Sequence, residues 1–288
     1  MSAEATATFA PCRGRLFGLA YRMLGSAAEA EDVLQEAQLR WLAADRAAVS
    51  SPQAWLTTVV TRLCLDALKS ARARRETYVG PWLPEPVATA RFDEPADLAS
   101  ISQAFLLLLE SLSPLERAVF VLREVFDYSF AEVAETLGRD EAACRQLLHR
   151  ARAQVQARRP RFARSAEQHG RLLGAFLAAV SQGDVAGLQQ ILADDVVAWS
   201  DGGGRAKAAL NVVHGPDKVA RLFIGLTKKG GATLAVEPAE LNGWPAIIAR
   251  DGGLVRAALA IETDGEKIFA LYLVNNPDKL ARAEPPSG

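Results

Sequence analysis

The chain has 288 residues, of which 50% are hydrophobic and 23% are charged, and its formal net charge is -1. This composition indicates a soluble globular protein of two or three domains and excludes a uniformly basic coat for nucleic acid. The apolar run after Phe105 is too short to cross a bilayer, and Glu110 interrupts it. Since the sequence also opens without a secretory signal, we expect a cytoplasmic protein with no membrane partner.

The cysteines Cys12, Cys64 and Cys144 lie far apart in helical patterns and form no CxxC pair. The three histidines add no spacing that is typical of metal ligands. These patterns favour buried free thiols in a reducing cytosol over disulfides or a metal site. We therefore expect neither a metal nor a cofactor.

Two helices open the first predicted domain, residues 1–77. The first covers residues 9–24 and is closed by Gly25, after which Ser26 and Glu29 form a capping box for the second. The second helix turns an apolar face inward and leaves a polar, acidic strip outside. This strip consists of Asp32, Gln35 and Glu36.

Ser51 and Pro52 start a third helix, because proline suits the first helical position. This helix has an apolar face and ends in a basic run. Such clusters attract phosphate even on a near-neutral protein, and a solvated helix end is the plain alternative. The charged side chains of this helix include Arg62, Asp66, Lys69 and Arg72.

Residues 78–100 are predicted to form a linker, because their prolines are incompatible with a continuous helix. A plain linker would be polar, whereas this one contains the string WLPEP at residues 82–86. Since an exposed tryptophan is unfavourable, we expect this string to pack on a neighbouring domain. Its members include Trp82, Pro84 and Glu85.

Residues 101–160 are predicted to form a second helical domain. An apolar helix over residues 101–112 is followed by the helix start signal Ser113, Pro114 and Glu116. The string SFAEVAETLGRDEAACRQLLHRAR at residues 129–152 then predicts two short helices separated by a glycine turn. This is the pattern of a helix-turn-helix, whose second helix can enter the DNA major groove.

The outer face of that second helix supplies candidates for DNA contact. Arginine and glutamine can recognise base edges and further arginines can hold phosphate, whereas an ordinary hairpin with a charged face is the alternative. The base-contact candidates are Arg145, Gln146 and His149, and the phosphate candidates are Arg139, Arg150 and Arg152.

Between residues 165 and 283 the pattern changes from helical to α+β. Helices are predicted over residues 170–181, in a short segment up to residue 192, and over residues 216–227. Turn signals such as Asp251-Gly252-Gly253 separate extended stretches, which favours a curved antiparallel sheet. The extended stretches are residues 196–200, 233–241, 245–249, 254–263 and 267–274.

Three strings in order, GSAAEAEDVLQEAQLRWL, SPQAWLTTVVTRLCLDALKSARARR and the helix-turn-helix, resemble a bacterial sigma factor. More narrowly, residues 9–159 resemble the extracytoplasmic-function (ECF) group, which keeps only the all-α sigma-2 and sigma-4 domains. The resemblance implies two contacts on core RNA polymerase, the β′ clamp and the β flap. The docking residues on the clamp would be Asp32, Gln35 and Glu36.

The same resemblance implies how promoter DNA would be bound. The helix-turn-helix would recognise the -35 element. The loop over residues 44–51 and the third helix would open and recognise the -10 element. The side chains implied at the -10 element are Arg62, Asp66, Lys69 and Arg72.

The last third, from FLAAVSQGDVAGLQQILADDVVAWSDGGGR onward, resembles the SnoaL-like (nuclear-transport-factor-2-like) cone. ECF factors with such an extension carry WLPEP, DGGGR and NPDKL strings, which this chain has at residues 82–86, 201–205 and 276–280. We hypothesise that these strings hold the extension against the sigma domains and make it a regulator in cis. Besides the WLPEP string, the residues are Asp201, Gly202, Gly203, Gly204, Arg205, Asn276, Pro277, Asp278 and Lys279.

Three functions compete. The first is a promoter-specificity subunit of RNA polymerase, with promoter DNA and core polymerase as partners and regulation in cis. The second is a ligand-responsive regulator with the cone as small-molecule sensor, which leaves the first domain unexplained. The third is an enzyme fused to a DNA-binding module, in which Asp195, Asp201 and His214 would be the acid or base candidates. The sequence favours the first, without catalytic residues, and leaves a ligand of the cone open.

Overall fold

The computed structural model describes residues 8–91, 101–157, 165–230 and 234–284, without the side chains of residues 71–76 and 230. Residues 92–100 of the predicted linker and the Arg72 side chain therefore lie outside the described residues. The chain divides into two compact units. Unit 1 comprises residues 1–76, 92–100 and 105–159, and unit 2 comprises residues 77–91, 101–104 and 160–288.

The first half of unit 1 is a three-helix bundle. It contains α1 (Arg13–Leu24), α2 (Ala27–Ala43) and α3 (Pro52–Glu76), and a 3-10 turn (Ala10–Cys12) precedes α1. Gly25 ends α1 with a left-handed φ of 67°. The Ser26 hydroxyl then accepts a hydrogen bond of 3.3 Å from the Glu29 amide, which confirms the predicted start of α2.

The second half of unit 1 contains the predicted helix-turn-helix. Its helices are α4 (Gln103–Leu109), whose first two residues belong to unit 2, α5 (Pro114–Phe120), α6 (Phe130–Leu137) and α7 (Glu141–Ala157). A π-helical turn (Val121–Val125) continues α5, which the sequence pattern did not reveal. The extra residue of a π turn shifts the helix face, and Val125 at the end of this turn is half-buried.

The two halves of unit 1 pack against each other. The buried Arg117 of α5 donates a hydrogen bond of 2.6 Å from Nη1 to the carbonyl of Met23 in the last turn of α1. The hydroxyls of Thr57 in α3 and Tyr128 lie 2.8 Å apart. Helix α3 also contacts α6, so the predicted -10 helix touches the first helix of the helix-turn-helix.

Unit 2 is built on a six-stranded sheet in the order β2-β1-β6-β5-β4-β3. Neighbouring strands are antiparallel except β1 and β6, which are parallel, so the prediction of a purely antiparallel sheet was wrong at this pair. Hairpin turns leave local signals, whereas a parallel pair needs a long connection that leaves none. The strands are β1 (Leu192–Asp201), β2 (Val213–His214), β3 (Ala235–Leu241), β4 (Trp244–Asp251), β5 (Leu254–Thr263) and β6 (Ile268–Val274).

Three helices, α8 (Ala166–Gln182), α9 (Val185–Ile191) and α10 (Pro216–Gly230), pack on this sheet. The Phe176 and Phe223 rings meet edge to face with centroids 5.2 Å apart, and sheet residues complete the same buried cluster. The helices and one sheet face thus enclose an apolar core, which gives unit 2 its α+β cone. No helix among the described residues is long and apolar enough to cross a membrane.

Candidate nucleic-acid interface and linker latch

The helix-turn-helix is built by the local signals that predicted it. Ser129 and Glu132 form a reciprocal capping box at the start of α6. Gly138 ends α6 with a left-handed φ of 62°, and Asp140 Oδ1 accepts a hydrogen bond of 2.7 Å from the Ala143 amide. These caps fix the turn between the helices and therefore the direction of α7.

Helix α7 buries one face and exposes the other. Its buried residues are Cys144, Leu147, Leu148 and Ala151. All six predicted DNA-contact residues are exposed, so the structure leaves them available on one side of the motif. They are Arg139, Arg145, Gln146, His149, Arg150 and Arg152.

Three of these arginines pair with nearby carboxylates. Arg145 bonds Glu141 at 2.6 Å, and its guanidinium also lies over the Phe130 ring, 4.2 Å from the centroid. The other pairs are Arg150 with Glu116 at 2.8 Å and Arg152 with Glu124 at 2.7 Å. Because each arginine is more than half exposed, these pairs are weak, and a DNA phosphate can replace the carboxylate.

The candidates for the -10 element lie on α3. Arg62 donates a hydrogen bond of 3.2 Å from Nε to the carbonyl of Thr136 in α6. Asp66 and Lys69 form an exposed pair at 2.7 Å one turn further along. The Arg62 guanidinium is thus shared with the helix-turn-helix, whereas Asp66 and Lys69 face solvent.

The predicted polymerase-docking strip lies on α2. Asp32 and Gln35 are exposed, and the half-buried Glu36 bonds Arg40 at 2.8 Å. Leu39 is 62% exposed and follows at the helical spacing that places it on the same face. Leu39 was not among the predicted docking residues, although an apolar residue outside the core pattern of α2 is a signal for such a site.

The WLPEP segment lies along the cone of unit 2 and contacts Asp201 at the end of β1. Its carboxylate is completely buried and accepts hydrogen bonds from Tyr78 Oη at 2.5 Å and from the Leu83 amide at 2.8 Å. The Lys279 ammonium donates to the same carboxylate at 2.7 Å and to the Leu83 carbonyl at 2.6 Å. We call this set the linker latch: Tyr78, Trp82, Leu83, Asp201 and Lys279.

Aromatic rings complete the linker latch. The Lys279 ammonium lies 4.2 Å from the centroid of the Trp82 ring and 5.1 Å from that of Tyr78, within range of cation–π attraction. Burial raises the pKa of Tyr78, and its hydrogen bond to Asp201 raises it further. Tyr78 therefore stays protonated and donates to the Asp201 carboxylate.

The glycines of the DGGGR string shape the turn after Asp201. Gly203 has a left-handed φ of 57°, and a Cβ atom there would overlap the Asn276 amide. Asn276 donates a hydrogen bond of 2.9 Å from Nδ2 to Tyr78 Oη and lies beside Pro277 at the start of the 3-10 turn that carries Lys279. The loop that contains Gly202, Gly203 and Gly204 therefore packs closely against the NPDKL turn.

The remaining charged candidates form two further pairs. Arg205 and Asp278 join the DGGGR and NPDKL strings at 2.6 Å, and both side chains are more than half exposed. Glu85, which is 1% exposed, pairs with Arg282 at 3.2 Å. Tyr78 and Arg282 were not predicted from the sequence, because they lie just outside the three strings.

The acid or base candidates Asp195 and His214 are exposed, whereas the Asp201 carboxylate accepts hydrogen bonds within the linker latch.

A cavity of about 20 Å³ lies where the start of α4 meets the cone, and it has room for one water molecule. Gln103 and His169 line it, and both are at least 95% buried. The His169 ring stacks on Trp244 with centroids 5.3 Å apart. Burial lowers the pKa of His169 to about 4. A hydrogen bond with the Pro245 backbone favours the charged form and opposes this shift only in part. His169 is therefore neutral near pH 7.

Protonation of His169 is expected to destabilise the folded chain in acid. The unfolded chain binds this proton near pH 6.5 and the folded chain only near pH 4, so stability falls as the pH falls through this window. The loss is at most about 3 kcal/mol. His169→Phe keeps a ring against Trp244 but cannot titrate, so the melting temperature should fall less steeply between pH 6.5 and pH 4. An unchanged slope would contradict this assignment.

Comparison with protein families identifies both halves of unit 1. Residues 8–74 match Sigma-70 region 2, and residues 102–155 match Sigma-70, region 4. The first match contains the docking strip and most of α3, and the second contains α6 and most of α7. These two regions in this order define a sigma factor.

Relatives extend the similarity to the whole chain. The ECF RNA polymerase sigma factor SigJ of Mycobacterium tuberculosis is 40% identical, over 94% of this chain and 92% of that protein. The probable ECF RNA polymerase sigma factor SigI of the same organism is 33% identical, over 93% and 92%. The crystal structure of SigJ matches with a TM-score of 0.79 at 37% identity, over 98% of this chain and 100% of that one. The chain therefore belongs to the family of ECF RNA polymerase sigma factors.

This membership confirms the predicted family and function class, the initiation of transcription, and implies RNA polymerase and promoter DNA as partners. The fold class, two all-α sigma domains followed by an α+β SnoaL-like cone, is also confirmed. The relatives belong to a non-catalytic family. The individual contact residues and the domain boundaries stay predictions.

Proposed function

We propose that this chain directs promoter-specific initiation through the -10 and -35 elements, and that its SnoaL-like cone regulates it in cis by holding the linker. The observation that carries the regulatory part is the buried Asp201 carboxylate, which accepts hydrogen bonds from two linker residues and one cone residue. Tyr78 follows closely on α3, so a linker held at Tyr78 and Leu83 restricts where the sigma regions can move. Release of the linker latch would remove this restriction.

The packing inside unit 1 supports a resting state in which α6 lies against one part of the -10 surface, at Arg62, while Asp66 and Lys69 stay exposed. A groove of about 470 Å³ runs between the loop over residues 44–51, α3 and α6. Among its lining residues, Asp45, Glu132 and Glu135 are acidic and Arg62 is basic. Because this acidic groove repels a DNA strand, we propose that the two halves of unit 1 separate before promoter DNA is engaged.

The docking strip supports the proposed contact with the β′ clamp of the polymerase, and we assign the β flap to the region 4 half. The strip combines exposed polar side chains, Asp32 and Gln35, with the exposed Leu39. An apolar residue with polar neighbours is typical of a protein interface. Since core polymerase is cytoplasmic, we propose that the chain works in the cytoplasm.

We propose that the cone acts as a regulator and not as an enzyme. The space between its helices and its sheet is filled by apolar side chains, among them Phe176, Phe223 and Leu259. Asp201, the buried one of the acid or base candidates, is engaged by three donors. Such a carboxylate is placed to hold the linker, not to exchange a proton with a substrate.

Run-off transcription with core RNA polymerase and a pool of genomic fragments tests the proposal. Specific start sites that depend on this protein are expected, and full-length Asp201→Asn should give a higher yield than the wild type. An unchanged yield would contradict regulation through the linker latch. Retained DNA binding without any start site would instead favour a ligand-responsive regulator with the cone as small-molecule sensor.

The phosphate candidates predict a salt effect. Arg139→Gln and Arg152→Gln should each flatten the slope of log affinity for -35 DNA against log salt concentration by about 0.9, because each removes one phosphate contact. Gln146→Ala should leave the slope unchanged and alter base preference. Arg171→Gln, a matched change on the exposed face of α8, is the control. Equal slopes for all four variants would contradict the assignment of Arg139 and Arg152.

A further inference from the structure

The tip of the β3–β4 hairpin is the two-residue turn Asn242-Gly243, and both residues have left-handed φ angles, 53° and 78°. This dipeptide suits a tight hairpin turn. Asn242 is only 1% exposed, whereas asparagine is mostly exposed in proteins. Burying an amide is costly unless it is hydrogen-bonded. Its partners in the linker explain the burial.

The first arm of the linker, residues 87–89, pairs with this tip. The Val87 backbone amide donates to Asn242 Oδ1 at 3.0 Å, and the Asn242 backbone amide donates to the Val87 carbonyl at 2.8 Å. The Gly243 amide donates to Thr89 Oγ1 at 3.0 Å, and Ala88 forms an antiparallel bridge with Leu241. The first arm therefore joins the hairpin tip as a short extra strand.

The second arm, residues 101–103, lies where the linker enters α4 and reaches the same side chain. Asn242 donates a hydrogen bond of 2.9 Å from Nδ2 to the Ile101 carbonyl. Gln103 Nε2 approaches Asn242 Oδ1 at 3.4 Å. Ile101 and Gln103 are 2% and 5% exposed, so this contact is shielded from bulk solvent. The carbonyl oxygen of this one planar amide thus accepts hydrogen bonds from both arms, and its amino group donates to the second arm.

We propose that Asn242 is a clamp that ties both arms of the linker to one point of the cone, so that the two arms leave it together. A rigid amide that rotates to follow one arm loses its hydrogen bond to the other. The clamp shares no residue with the linker latch at Asp201. Its regulatory consequence rests on the proposed function: a partner that pulls the first arm away also frees the second, which leads directly into α4.

Hydrogen–deuterium exchange of the full chain tests the clamp directly. Asn242→Gly removes the amide and suits the left-handed backbone, so the turn itself is kept. Peptides that cover residues 85–91 and 101–104 should both exchange about five- to tenfold faster, as expected for the loss of one buried hydrogen bond. Residues 78–83, which the linker latch holds, should keep their wild-type rate and report that the cone is folded.

A second variant separates a shared clamp from two independent contacts. Asn242→Asp keeps an oxygen acceptor for the Val87 amide but loses the donor to the Ile101 carbonyl. Faster exchange in both arms supports the clamp, whereas a change confined to residues 101–104 would overturn it. Asn211→Gly, in an exposed loop, is the matched control and should change neither arm.

Transcription separates this inference from the proposed function. If the clamp and the proposed function both hold, Asn242→Gly should raise run-off yield as Asp201→Asn does. Faster exchange in both arms without any change in yield would support the clamp and contradict regulation by the cone. Unchanged exchange in both arms would overturn the clamp, whatever the yield.

Discussion

Replacing Asp201 with alanine is expected to lower the free energy of unfolding by about 3–5 kcal/mol, because it takes away the anion that offsets a largely buried cation. Asp201 is 0% exposed, and the Lys279 side chain that it faces is 12% exposed. The substitution also removes the acceptor for the Leu83 amide and Tyr78 hydroxyl. Thermal and chemical unfolding of the full chain measures the loss.

The control for this prediction lies in the neighbouring string. Asp278 also pairs with a cation, Arg205, but the two side chains are 58% and 59% exposed. Water and ions screen such a pair, so Asp278→Ala should cost less than about 1 kcal/mol. Equal losses of unfolding free energy for Asp201→Ala and Asp278→Ala would mean that burial of the linker latch contributes nothing to stability. Asp201→Asn, which keeps the size and one oxygen acceptor, should fall between the two.

The helical units could be predicted closely because their signals are local. Ser26, Ser113 and Ser129 cap helices at the predicted positions, and Gly25 and Gly138 end helices with left-handed angles. A cap depends on residues within one helical turn, so the sequence alone determines it. The π turn after α5 has no comparable signal, and it was missed.

The cone was predictable in its elements but not in its pairing. Strands and hairpin turns leave local patterns, whereas the parallel contact between β1 and β6 joins residues such as Ala198 and Leu271 that are far apart in sequence. The same reason applies to the linker. The strings identified Asp201 and Lys279, but only the structure pairs them and adds Tyr78, and nothing in a turn dipeptide indicates that Asn242 is buried against the linker.

Replacing Arg117 with methionine is expected to destabilise unit 1 by about 3–5 kcal/mol, because the buried guanidinium joins three parts of the helical unit. Arg117 is 3% exposed, and its Nη1 donates to the Met23 carbonyl and to Glu110 Oε1, each at 2.6 Å. Burial lowers the pKa of Arg117 to about 10, so the side chain is charged at neutral pH. The substitution would remove the cation that pairs with the Glu110 side chain, which is only 12% exposed. It would also remove the guanidinium donor to the Met23 carbonyl in the last turn of α1.

Two further variants separate charge from packing at Arg117. Arg145→Met removes an exposed guanidinium of the same unit and should change stability by less than about 1 kcal/mol. Adding Glu110→Leu to Arg117→Met should restore part of the loss, because an apolar pair of similar volume can replace a buried ion pair. If the double variant is no more stable than Arg117→Met alone, the loss comes from the hydrogen bond to Met23, which connects the two halves of unit 1, and not from the ion pair, which lies within the second half. That outcome would make this hydrogen bond one of the contacts between region 2 and region 4 that must break before the two regions can separate.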